Sequence, residues 1–159
     1  MGKRKAITDF QRQRVYNFHE LIEESNIDVD VANKFVKKLD RLWKIKTIAL
    51  YPEKWDVNNA EGWSLARRYG AIQVPFNMLT ISYIAHEHAH CVVECFRDYD
   101  GLQGIREPGH GPLWCGVFAF NYARVIGANY LDVFNCLTYN KILTVDELTT
   151  NNFRRYFRG

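Results

Sequence analysis

Apolar residues recur at the helical period in several separate stretches of this chain, each bounded by a recognisable stop. Phe10, Val15, Phe18, Leu21 and Ile22 predict a first helix, capped by Thr8 or Asp9 and running to about Glu24. Val31, Phe35, Val36, Leu39 and Leu42 predict a second, from about Val29 to Trp43. Lys46 to Tyr51 is short and rich in β-formers, and Pro52 halts it. A polar loop follows from Pro52 to Gly62. Trp63 to Arg68 and Ala71 to Pro75 then predict a hairpin that turns at Tyr69-Gly70.

Asn77 to Phe96 contains neither glycine nor proline. Ile81, Ile84, Ala85, Val92, Cys95 and Phe96 share one stripe at about 100° per residue, the signature of an amphipathic helix. Arg97 to Gly109 is polar and longer than most connections inside a compact domain, which marks it as a place to look for function. Pro112 suits the first position of a helix that reaches Ile126 and stops at Gly127. Val145 to Phe157 predicts a last helix. Helices, a small sheet and more helices make an α+β fold, read as one domain over residues 1–159.

Composition changes this picture little. With 47% apolar and 25% charged residues the chain is an ordinary globular sequence, which excludes a disordered or collagen-like one. The net charge of +3 is small. Basic residues gather at the ends, in Lys3-Arg4-Lys5 and in Arg154, Arg155 and Arg158. These read first as solvated termini, and as a weak nucleic-acid attraction only if both ends share a face. No run approaches the ~20 apolar residues that cross a bilayer. The charged opening also lacks the apolar core of a signal peptide, so the expectation is a cytoplasmic protein with no membrane partner. Cys91, Cys95, Cys115 and Cys136 form no Cys-x-x-Cys pair, which excludes a cysteine zinc ribbon. They read as small, reduced, buried side chains.

The chemistry concentrates in His86-Glu87-His88-Ala89-His90 and, later, in Gly109-His110-Gly111-Pro112. His-Glu-x-x-His on a helix is the pattern that binds zinc and sets a general base beside it. His86 and His90 differ in direction by only ~40° and stand ~6 Å apart along the axis, so both can reach one ion. Glu87 is rotated by ~100° from His86, which suits holding a water better than binding the metal. His88 falls within the apolar stripe and reads as a core histidine satisfied by a hydrogen bond. On a strand the three histidines would instead share one face, but the apolar period here is helical. A catalytic zinc needs a third protein ligand. His110 is the candidate, Glu107 its competitor, and Glu94 suits a supporting bond to His90.

Leu79 to His90, followed by His110-Gly111-Pro112-Leu113-Trp114, resembles the SprT-like zinc metallopeptidases, which include the Spartan proteases. That family shows a His-Glu-x-x-His helix, a variable loop, and a His-Gly motif with a bulky aromatic opening the next helix. Arg67 to Val74 also looks like the family's hairpin before the active helix. The resemblance covers about residues 35–127. It implies a zincin-like fold in which His86, His90 and His110 bind Zn2+ and Glu87 is the catalytic base. The implied activity is a zinc-dependent metalloendopeptidase that hydrolyses peptide bonds of a protein or peptide substrate with zinc-activated water.

The cysteine ribbon of many bacterial members is missing, and so are recruitment motifs for DNA or partners. Action on DNA-associated proteins, known in the Spartan branch, is therefore an expectation from resemblance alone. A peptide deformylase is argued against, because no cysteine precedes Cys91. The metzincin pattern fails because Phe96 stands where its third histidine would be. Tyr83, Arg106 and Tyr122 are candidates to steady the oxyanion. The stretch Trp63 to Pro75 is the candidate edge for pairing with an extended substrate. The alternative function is a zinc-stabilised, non-catalytic domain that binds nucleic acid or protein.

Overall fold

A computed structural model of the chain describes residues 9, 11–22, 24–54, 69–99 and 109–142. Within them five α-helices and two strands follow in the order α1 (Arg12–Leu21), α2 (Val29–Trp43), β1 (Lys46–Leu50), β2 (Tyr69–Gln73), α3 (Ile81–Tyr99), α4 (Pro112–Ile126) and α5 (Tyr130–Tyr139). A 3₁₀ turn over Phe76–Met78 leads into α3. The α+β class holds in this coarse form. No helix among these residues is long and apolar enough to cross a membrane.

Helix α2 has the predicted bounds. It buries Ala32, Val36, Leu39 and Trp43, one residue per turn, and ends at Lys44 in the left-handed conformation. Asp40, one turn earlier, ties this end to the sheet, because its Oδ2 accepts the Thr47 amide at 2.9 Å. Helix α4 also matches its prediction, with Pro112 in its first turn and Gly127 at φ 72 closing it.

The hairpin is overturned. Strands β1 and β2 run parallel, from Lys46 beside Tyr69 to Leu50 beside Gln73, so Tyr69-Gly70 opens a strand instead of turning one. Gly70 is there for contact, since a Cβ would collide with Cys91 Sγ on α3. Residues 63–68 lie outside the described set, as do the basic ends, Glu107, Arg106 and the helix expected over Val145 to Phe157. Helix α3 begins at Ile81, after the 3₁₀ turn, and continues to Tyr99, into the stretch expected as loop. Helix α5 was not anticipated; Asn129 caps it by accepting the Leu131 amide at 2.9 Å.

Helix α3 divides the core. Its Ala85, Ala89 and Val92 pack with Val15 and Phe18 of α1, Trp114 and Phe118 of α4, and Leu137 of α5. Its Ile84 and Cys91 pack instead with Ala32 and Val36 of α2 and Ile72 of β2. The two alanines let α4 approach closely, which brings the start of α4 against the histidine face of α3.

Candidate metal centre

Three imidazoles converge between α3 and the start of α4. His86 Nε2 lies 3.3 Å from His90 Nε2 and 3.2 Å from His110 Nε2. Nitrogens bound tetrahedrally at 2.0–2.1 Å stand roughly 3.3–3.4 Å apart, so this spacing fits one small ion at a common point. His86, His90 and His110 are the only trio of histidine, cysteine or carboxylate donors so grouped among the described residues. The convergence follows from local sequence. The i, i+4 spacing stacks His86 over His90, and Gly111-Pro112 starts α4 just after His110, whose position is thereby fixed to the helix end.

The pocket is lined to suit neutral imidazoles. Trp114 forms an aromatic floor, with ring centroids 4.6 Å from His86, 4.9 Å from His90 and 4.7 Å from His110. Phe118 stacks behind it at 5.3 Å. Burial pushes the His90 pKa down to about 3 and also depresses those of His86 and His110. For His110 the nearby Asp9 carboxylate opposes that effect without cancelling it. Neutral imidazole is the form a metal takes.

Each outer nitrogen that is held points to α1 or the residues just before it. Asp9 Oδ2 lies 2.7 Å from His110 Nδ1, and Oδ1 accepts the His110 amide at 3.2 Å. The expected helix-capping role of Asp9 is thus replaced by a bond to His110, and Gln11 takes the cap position. Gln11 in turn donates to the His110 carbonyl at 3.1 Å. His19 Nε2 stands 2.8 Å from His86 Nδ1, and its own Nδ1 is 3.0 Å from Ser82 Oγ. Tyr16 places its ring 5.7 Å from both His86 and His110. None of Gln11, Tyr16 and His19 was singled out from sequence. The available signal was His19 itself, a polar residue inside the apolar face formed by Val15, Phe18 and Ile22.

Glu87 projects beside the cluster with Oε1 3.9 Å from His86 Nε2, and it is not part of the trio of grouped donors. Burial pushes its carboxyl up to about 8. His88 points the other way, as its position in the apolar stripe required. Its Nε2 meets Asp40 Oδ1 at 2.7 Å and its Nδ1 meets Asn121 Nδ2 at 3.3 Å. Glu94 is half-buried one turn beyond His90. Of the oxyanion candidates, Tyr122 donates its hydroxyl to Glu24 at 3.0 Å, whereas Tyr83 stacks on His19 at 4.3 Å, with its ring 6.0 Å from His86. A cleft of ≈ 550 Å³ opens beside His19 and Tyr83, with Glu20, Glu24, Thr80 and Ser82 on its walls. No protein-family model, curated protein or solved structure matches the chain.

Proposed function

We propose that this chain is a zinc-dependent metalloendopeptidase of the SprT-like, zincin-like type, with His86, His90 and His110 holding the ion. The supporting observation is the convergence of three neutral imidazole Nε2 atoms with a carboxyl group 3.9 Å from one of them. Three imidazoles leave a fourth position for water or substrate, whereas a purely structural zinc is closed by four protein ligands. A zinc ion there supplies Lewis acidity, lowering the pKa of water to ~7 and polarising a carbonyl oxygen.

The chain's own residues do the rest. Burial raises the Glu87 carboxyl to about 8, and a cation held by the three histidines would draw it back towards the carboxylate. Glu87 then takes the proton of the attacking water on a carboxylate oxygen and returns it to the leaving amide nitrogen. Action on DNA-associated proteins is a narrower form of the same proposal and rests on the resemblance.

Glu87→Gln tests the base. It keeps shape and metal content while cutting cleavage of labelled casein by about 10²–10⁴-fold. A variant as fast as the parent removes Glu87 from the reaction. His110→Ala beside Glu107→Ala tests the ligand set by metal analysis: the first loses zinc and the second retains it, and the reverse result transfers the third ligand to Glu107.

A further inference from the structure

Ligand His86 is bonded behind by a second imidazole, whereas His110 is bonded by a carboxylate. The difference has chemical content. A carboxylate only accepts, so Asp9 fixes His110 with its proton on Nδ1 and a lone pair on Nε2. A neutral imidazole both donates and accepts, and His19 is backed by Ser82, whose hydroxyl does the same. The chain Ser82–His19–His86–His110 is continuous, with successive gaps of 3.0, 2.8 and 3.2 Å.

We propose that His19 is a positioning residue for His86, and that the Ser82–His19 chain reverses direction when the cluster binds metal. Without metal, the lone pair on His110 Nε2 needs a donor across the 3.2 Å gap, and His86 Nε2–H supplies it. His86 Nδ1 is then an acceptor, so His19 Nε2–H donates to it and Ser82 Oγ–H donates to His19 Nδ1. With metal, His86 Nε2 releases its proton to solvent, Nδ1 takes one from His19 Nε2, His19 Nδ1 takes the Ser82 hydroxyl proton, and Ser82 regains one from solvent, so every side chain stays neutral. His86 Nδ1–H now donates to His19 Nε2, and His19 Nδ1–H donates to Ser82 Oγ. Ser82, His19 and His86 keep one another as partners in both states while the two bonds between them change direction. That matters because His86 and Ser82 are 1% exposed and His19 is 6% exposed, so a lost partner would not be replaced by water.

The inference depends on the metal site of the proposed function and not on turnover. It also makes α1, which lies outside the stretch resembling the peptidase family, part of the metal site.

The test has two arms on the full chain. Ring-nitrogen NMR reads the His86 tautomer before and after zinc is added to chelator-treated protein. The expected result is Nε2–H without zinc and Nδ1–H with it; Nδ1–H in both states overturns the reversal. Chelator competition reads zinc affinity in His19→Leu and His19→Gln. The leucine variant should bind about 10–100-fold more weakly, while glutamine, whose amide also donates and accepts, should stay within about threefold of the parent. Parental affinity in the leucine variant, or equal losses in both, overturns the positioning role. If the leucine variant does not fold, the tautomer measurement on the unaltered chain decides. A parent chain that binds zinc but leaves casein intact removes the peptidase reading alone; one that binds no zinc removes both.

Discussion

Asn121 sits at 0% exposure on α4, behind the histidine helix, and three elements depend on its amide. Its Oδ1 accepts the Trp43 indole N–H at 2.6 Å, and its Nδ2 donates to His88 Nδ1 at 3.3 Å. His88 is thereby set to donate from Nε2 to Asp40, which also anchors the start of β1. Asn121→Leu keeps the approximate volume but leaves the indole N–H and His88 Nδ1 without their present partner. Each such buried group costs ~1–3 kcal/mol, giving about 2–6 kcal/mol together. Burial of the leucine returns about 1.5–3 kcal/mol, so a net loss near 2 kcal/mol is expected. Urea titration with chelator present should show it as a midpoint lower by roughly 1 M, since m for a small domain is ~1–3 kcal/mol/M. Adding Trp43→Phe removes the orphaned donor, so the double variant should be more stable than the sum of single losses by about 1 kcal/mol. An Asn121→Leu midpoint equal to the parent's, or strict additivity with Trp43→Phe, refutes the view that this amide joins α2, α3 and α4.

Two further outcomes follow from the same physical reading. Gly70→Ala places a methyl group against Cys91 Sγ and should cost about 1–3 kcal/mol by overpacking, with much of it recovered in Gly70→Ala/Cys91→Ala; an unaffected single variant by thermal melting would show that β2 is not pressed against α3 there. Metal-free stability should peak near pH 6.5. Burial holds His19 near 4 and His90 near 3, and lowers His86 and His110 too, so below about 6.5 the unfolded chain takes up protons the folded one refuses and stability falls with falling pH. Glu87, raised to about 8 from 4.5, acts oppositely: the folded chain keeps a proton the unfolded one has released, so stability falls as pH rises from 6.5 to 8. Below 6.5 the four histidines outweigh it. A melting temperature that climbs steadily from pH 5 to 8 contradicts this balance.

What could be read in the sequence was what a few neighbouring residues decide. Val29–Trp43 announces itself through its apolar period, and Pro112–Ile126 through a first-turn proline and a closing glycine, each within one helix. The i, i+4 histidines likewise need only helix geometry to face one point. The direction of β2 was not legible, because the same β-rich residues serve a hairpin or a parallel pair, and the choice lies with a strand far earlier in the chain. Helix α5 has only Val133 and Leu137 buried, too narrow a stripe to register as a period. The groups that tune the centre escaped for a related reason. Asp9 and His19 meet imidazoles 101 and 67 residues away, so the one local sign is that His19 is a polar residue on the apolar face of α1. The facing of His86 and His90 is thus a short-range property here, whereas the outer nitrogens of His86 and His110 are held by His19 of α1 and by Asp9 just before it. It follows that changing α1 should alter how tightly the histidines hold an ion without moving the helix that presents His86 and His90, and that the same histidine pattern on a chain lacking α1 would be a weaker site.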